Sequence, residues 1–431
     1  MKLLKTSLLL GSGTLVAQGI TFLSLPIISR IYSPSEYGNL VFLLTITGLF
    51  VPIATLKIET LLVTISSETK MNEYFKLSLI TSTLISLFLG VLFFASEILK
   101  NGDGDDRKIT MAFFFSAILF VQALSVLTIQ LSLRARTYNR ITQSSIVQSA
   151  STNTLQILLG KIEPTASTLV GSFFLGRLFG VIPMANKPIK IIRETKLDFP
   201  KITIFKSILK ENKFLIPASF LEVANTGLAI FIISMFFGYQ YSGFVGMAQS
   251  LLMVPVTLFA GSIGSIVAAE LSAINRDITK QGSDKIQILR QLIKPVLAMF
   301  TIYVMFFIFA ANAVLGIIFN DEWIGLSVLI PILSIPIGVN FLWNPFINLL
   351  YVERKWVRIL KINIVRFLAL VLSATVCITL NQNWKITTCV MFASGAAVQI
   401  ISMAVSFKNF PIVSRGQNIK MRNGIGFGDS Q

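Results

Sequence analysis

Twelve apolar stretches, each long enough to cross a bilayer, occupy almost the whole of this 431-residue chain. They run at about residues 8–31, 38–64, 76–98, 110–133, 141–161, 166–186, 214–237, 243–268, 292–318, 325–350, 361–380 and 386–406, and a helical crossing takes roughly 20 such residues. With 54% hydrophobic and only 13% charged residues, and a mean hydropathy of +0.75, a soluble core of this size would lack polar covering. The expected fold is an all-α polytopic membrane protein with about 12 transmembrane helices. Lys2 and Lys5 ahead of Leu8, Leu9 and Leu10 resemble the start of a signal peptide. The apolar run continues through Ile27 and Ile28, too far for such a segment, so the first helix is read as uncleaved.

The formal charge of +17 would point to nucleic acid in a soluble protein. Here its placement is more telling. With both termini placed in the cytoplasm, 28 of the 37 Lys and Arg residues fall on the cytoplasmic side and 6 on the outer side. This is the positive-inside pattern, and it agrees with an even number of helices. The basic surplus therefore reads as topology and contact with anionic membrane lipids, not as a nucleic-acid surface. The expected location is a bacterial cytoplasmic (inner) membrane. There is no histidine, and Cys377 and Cys389 are the only cysteines, so a disulfide framework, a metal site and histidine acid-base chemistry are not expected, nor is any cofactor.

The longest internal hydrophilic stretch, residues 187–213, carries eight basic residues and follows the sixth helix. It divides the chain into an N-terminal six-helix lobe at 1–186, a basic cytoplasmic linker at 187–213, a C-terminal six-helix lobe at 214–407 and a tail at 408–431 expected to be disordered. Two six-helix lobes around a central cavity are what several carrier families show. The first hairpin turn (Arg30 to Gly38) and the seventh (Phe237 to Gly246) are both short and rich in Tyr, Ser and Gly, either as traces of a repeat or because tight turns share turn residues. Outer loops are short, the longest being the acidic stretch at 101–106, which disfavours an enzyme with a large catalytic loop.

Charged groups inside spans are the functional candidates. Arg177 sits near the middle of the sixth helix, where charge costs roughly 3 kcal/mol on insertion scales, and a guanidinium can grip phosphate in a bidentate manner or pair structurally. Lys57 and Glu59 lie in the second helix, two residues apart and so on different sides of it. In the seventh helix Glu222 and Asn225 share a face after a potential kink at Pro217, and Glu222 is the leading candidate for a coupling-ion or proton site, with Glu59 second. Arg366 in the eleventh helix follows Asn363 by three residues, and Arg30 caps the outer end of the first. Two polar ladders accompany them. Ser144, Gln148, Thr152 and Gln156 recur every fourth residue in the fifth helix, to line a cleft or to pack; Asn340, Asn344 and Asn348 do so in the tenth, beside Trp343, to meet sugar hydroxyls or neighbouring helices. Gly176 and Gly180 flank Arg177 in a spacing that permits close packing.

Several segments in order resemble the O-antigen type flippases of the multidrug/oligosaccharidyl-lipid/polysaccharide superfamily. They are Pro26-Ile-Ile-Ser-Arg-Ile-Tyr-Ser-Pro-Ser-Glu-Tyr-Gly38, Val245-Gly-Met-Ala248 with Pro255, Ile318-Phe-Asn-Asp-Glu-Trp323 with Pro331-Ile-Leu333, and Asn348-Leu-Leu-Tyr-Val-Glu-Arg354. Asn320 and Asp321 depart from the glycine common before the tryptophan, and Val352-Glu353 from the small residue and glycine before the basic one. The resemblance implies translocation of undecaprenyl-diphosphate-linked oligosaccharide from the inner to the outer leaflet by alternating access, coupled to H+ or Na+, beside a glycan polymerase complex. On that reading Arg177, Arg366, Lys57 and Arg30 meet the diphosphate, and Asn340, Asn344 and Gln148 the sugar. A cation-drug antiporter of the same fold and a membrane-embedded repeat-unit polymerase are the alternatives.

Overall fold

The computed structural model describes residues 2–63, 65, 67–101, 106–194, 202–276, 294–309, 319–353 and 355–408. The predicted tail after 408 lies outside them. Among the described residues ten helices are long and apolar enough to cross a membrane, and the molecule is a multi-pass, all-helical membrane protein. In chain order the described α-helices, short ones included, are α1 (Lys2–Ile31), α2 (Pro34–Ala54), α3 (Ile58–Leu62), α4 (Glu68–Asn101), α5 (Asp106–Arg134), α6 (Tyr138–Gly160), α7 (Ala166–Val181), α8 (Asn186–Glu194), α9 (Ile202–Asn212), α10 (Leu215–Phe236), α11 (Tyr239–Arg276), α12 (Lys294–Phe309), α13 (Gly325–Gly338), α14 (Asn340–Val352), α15 (Trp356–Thr379) and α16 (Trp384–Lys408). Of the twelve expected spans, α6 is long enough but too polar to qualify, and α12 is described over too short a range.

Two spans are broken where continuous helices were expected. The second stops at Ala54, two residues after Pro52; Leu56 and Lys57 then take left-handed φ values of 53° and 54° before α3 begins. Carbonyls freed in a membrane must find donors, and here they do. Hydroxyls of Ser82 and Thr81 reach the Ala54 carbonyl at 3.1 and 3.0 Å, Ser78 reaches that of Thr55 at 3.1 Å, and the Asn212 amide donates to the Leu56 and Lys57 carbonyls at 3.0 and 3.3 Å. Arg134 caps α3 by donating to the Leu62 and Ile65 carbonyls. The tenth span divides at Val339 into α13 and α14. Pro217 makes no kink: it lies in the first turn of α10, where its missing N–H costs nothing.

The helices pack in two groups. α1, α2 and α4 to α7 contact one another, as do α10, α11 and α13 to α16; α2 bridges them by running along α10 and α11. The basic linker is helical where described. α9 buries Ile208, and α8 buries Ile191, in a core with Leu56, Ile58, Leu62 and Phe75.

At the end of the bundle where the α1–α2 and α10–α11 turns meet, the hairpin end, the two groups share one core containing Leu25, Tyr37, Leu40, Val245, Leu251, Trp323 and Leu329. Gly38 is the fifth residue of α2 and lies against the Tyr239 carbonyl at the start of α11; Gly243 is the fifth of α11 and lies against the Pro34 carbonyl at the start of α2. The two hairpins that looked alike in sequence thus make a reciprocal, pseudo-twofold contact. The indole N–H of buried Trp323 donates to the Ser29 and Tyr32 carbonyls at 2.9 and 3.3 Å, and its ring meets Tyr37 and Phe244 edge-on. At the opposite, linker end the cores separate. One holds Leu56, Phe75 and Ile208, the other Ala218, Phe346 and Ile359.

Adding a methyl group at the Gly243 crossing must push two helix backbones apart, at about 1–3 kcal/mol for such overpacking. Gly243→Ala is expected to lower the melting temperature of the purified protein by several degrees. Gly19→Ala, at a glycine with nothing within 4 Å, is expected to leave it unchanged or slightly raised.

Candidate functional site

Between the separated cores at the linker end lies a cavity of about 830 Å³, lined by Lys70 and Tyr74 of α4, Glu211 and Asn212 of α9, Leu215 of α10, Tyr351 of α14 and Trp356 of α15. Its walls come from both helix groups. From one wall a polar path leads into the C-terminal group: the Tyr351 hydroxyl donates to the Glu222 carboxylate, and Glu222 in turn acts electrostatically on Arg366.

Arg366 lines a second, smaller cavity of about 60 Å³ bordered by α10, α11 and α13 to α16. Cavities of this size hold a few waters. Three of the buried polar atoms that lack a hydrogen-bond partner line it: Arg366 Nε, Asn225 Oδ1 and Gln249 Oε1. An unpaired buried polar atom costs about 1–3 kcal/mol, so one donor and two acceptors left open around one void mark it as built to receive a polar occupant. Asn340 Oδ1 accepts from Gln399 at 3.3 Å on another wall, and the Asn225 amide donates to the Asn363 carbonyl at 3.1 Å, tying α10 to α15. Gly395 sits 3.5 Å from Arg366 Nε, measured from where a Cβ would be.

The structure therefore brings together three of the sequence candidates, Glu222, Arg366 and Asn340, and disperses the rest. Lys57 and Glu59 do not point apart: the break before α3 turns them into an ion pair of 3.3 Å with Glu59 buried. Arg30 is exposed at the end of α1. Gln148 does not face a cleft but packs on Gly180, where a Cβ would lie 2.7 Å from its own, while Thr152 packs on Gly176 and Ser144 donates to the Gly180 carbonyl at 2.6 Å. The α6 ladder is a packing seam against α7. Asn348 donates to the Asn344 carbonyl within α14, and neither lines the described cavities. Arg177 stands apart in α7 with its Nε buried and unpartnered. Sequence reasoning missed Gln249 and Gln399, whose signal was a lone amide in an apolar run, and Lys70, Tyr74 and Glu211, which carry no motif.

Tyr351→Phe removes the donor to Glu222 and is expected to cost about 1.5–3 kcal/mol, the range for hydrogen bonds to charged groups. In a double-mutant cycle with Glu222→Gln, thermal unfolding should show the two losses to be clearly less than additive.

The fold recurs in known transporters. It is similar to the structure titled lipid II flippase MurJ in an inward closed conformation (14% identity, TM-score 0.71, covering 94% of this chain and 88% of that one). It is also similar to an inward-facing multidrug resistance MATE family transporter of the MOP superfamily (13% identity, TM-score 0.58, 94% of each chain). A third is a MOP superfamily transporter from Pyrococcus furiosus (13% identity, TM-score 0.61, 94% of each chain). No curated protein matches by sequence. The family described as polysaccharide biosynthesis protein matches residues 27–328. With more than half of its length matched, and with the helix arrangement of the MOP exporters, the chain belongs to this polysaccharide biosynthesis family.

Proposed function

We propose that the protein is a flippase that moves undecaprenyl-diphosphate-linked oligosaccharide units from the inner to the outer leaflet of the bacterial cytoplasmic membrane. The carrying observation is the asymmetry of the core: one continuous core at the hairpin end, two cores flanking an 830 Å³ cavity at the linker end. A carrier closed at one end and open at the other is one half of an alternating-access cycle. The charge bias, 28 against 6 by sequence, supports placing the linker end and both termini in the cytoplasm, so the cavity is open to the leaflet where lipid-linked sugars are made.

On this reading the headgroup enters between the six-helix lobes while the polyprenyl chain stays in lipid. Arg366 in the C-terminal lobe and Arg177 in the N-terminal lobe supply diphosphate-binding charge as the cavity opens further, with Asn340 toward the sugar. The 60 Å³ void is too small for the headgroup itself, so its place is in coupling. Glu222, held between Tyr351 and Arg366, is the group whose protonation or ion binding alters the wall of the substrate cavity; Glu59, neutralised by Lys57, is not. Lys57, Arg30 and Gln148 serve structure.

Deletion of the gene is expected to abolish surface glycan and to accumulate polyprenyl-diphosphate oligosaccharide on the cytoplasmic face. Outer-face accumulation of single repeats would point to polymerisation instead, and unchanged glycan to solute export. Arg366→Gln and Arg177→Gln, present at normal levels, should each reduce export about tenfold or more if they hold diphosphate by charge-assisted bonds. Glu59→Gln should reduce it far less than Glu222→Gln.

A further inference from the structure

Beside the large cavity, and sharing Trp356 as a wall with it, lies an open pocket of about 390 Å³ lined by Phe214, Lys355, Trp356, Val357, Arg358 and Lys361. Half of its lining residues are cations and two are aromatic. We propose that this pocket is a docking site for a phosphate- or diphosphate-bearing lipid headgroup, from which the headgroup passes around Trp356 into the cavity between the lobes. Its assignment to the transported lipid rests on the flippase reading; the phosphate chemistry does not.

The charges are arranged for an anion. Lys355, Arg358 and Lys361 follow at three-residue intervals along the start of α15; among the described residues Glu353 pairs with Lys355 at 2.5 Å. The surplus falls to Arg358 and Lys361. Arg358 spends one terminal nitrogen on the Ser406 hydroxyl at 2.7 Å, which steadies the guanidinium and leaves its other donors for the pocket. Lys213 adds a fourth cation close by, its ammonium 4.9 Å from the Phe214 ring centre. The pocket also opens at the N-terminal end of a 24-residue helix, whose dipole adds positive potential.

The apolar parts fit a lipid and not a free ion. Phe214 and Val357 are exposed, offering the first methylenes of a chain an apolar surface beside the cations. Trp356, edge-on to Tyr351 with ring centres 5.7 Å apart, separates the pocket from the cavity that contains Tyr351. An anion held here is therefore one aromatic side chain away from the Tyr351–Glu222–Arg366 path.

The test is equilibrium binding of farnesyl diphosphate to the purified full chain in phosphatidylcholine nanodiscs. Arg358→Gln/Lys361→Gln is expected to weaken binding about tenfold or more, and Lys206→Gln/Lys210→Gln, which removes the same charge from exposed positions of α9, less than about twofold. If the Arg358 change unfolds the protein through loss of Ser406, Lys361→Gln alone should still weaken binding about threefold. Phosphatidylglycerol in the nanodiscs identifies the source: competition marks phospholipid headgroups as occupants as well, and its absence marks the prenyl diphosphate alone, either result upholding a phosphate-headgroup site. Equal losses in the two double variants, no loss, or no binding by the native protein would overturn it. A deletion strain that still accumulates cytoplasmic-face lipid-linked sugar would then show that this pocket alone, and not the flippase function, had been misread.

Discussion

Carbonyl oxygens of Tyr239 and Pro34 occupy the places where side chains on Gly38 and Gly243 would have to go. Only glycine lets α2 and α11 cross so closely, and that crossing brings the two helix groups into one core at the hairpin end. Trp323 completes the joint by donating its indole N–H to carbonyls in the α1–α2 turn. Trp323 is buried, so water does not compete for this contact. Because the contact is reciprocal, each group presents the same fifth-residue glycine to the other's first residue, and the two groups are joined most closely there. The cavity at the linker end follows from it: two rigid bodies joined tightly at one end diverge at the other unless something closes them.

What lines the diverging end is set by a second constraint, the need to satisfy backbone groups wherever a span is interrupted. The break at residues 55–57 is closed by hydroxyls from α4 and the amide of Asn212 from α9. This pins the linker helix to the floor of the cavity. The linker is thereby part of the N-terminal body's packing, with Ile208 in its core, while Leu215, three residues beyond Asn212, already belongs to the first helix of the other group. By contrast with the carbonyls of that break, the void beside Arg366 is left with one donor and two acceptors unpaired.

Ten of the twelve expected spans were legible as apolar helices among the described residues, because apolar runs of about 20 residues have few other uses. The breaks were not, since the composition of residues 38–64 and 325–350 stays apolar through Thr55 and Val339, and the donors that make a break tolerable lie tens of residues away in sequence. The same distance effect governs the site. Glu222 and Arg366 were recognisable as charges in apolar helices, but whether a buried charge is paired depends on partners such as Tyr351, 129 residues from Glu222. Lys57 and Glu59 were misplaced by assuming unbroken helix geometry. Gln148 looked like a cleft residue because a polar ladder has the same period whether it faces water or a small-residue seam, and the seam, Gly176 and Gly180, was visible in the sequence but not connected to it.

The two cavities differ in a way that separates their roles. A space of 830 Å³ bounded by both bodies changes shape whenever they rotate about the Gly38–Gly243 joint. A space of 60 Å³ lined by one body depends first on its own walls. Glu222 lies at the boundary, bonded to Tyr351 on the side of the large cavity and facing Arg366 on the side of the small one. On the proposed coupling role, a change of its charge would release or recruit Tyr351, whose ring packs edge-on against Trp356 at the wall of the large cavity. Coupling between a small charge event and a large rearrangement needs one element with contacts in both spaces. Among the described residues, the Tyr351–Glu222–Arg366 path has that position, with Tyr351 lining the large cavity and Arg366 the small one.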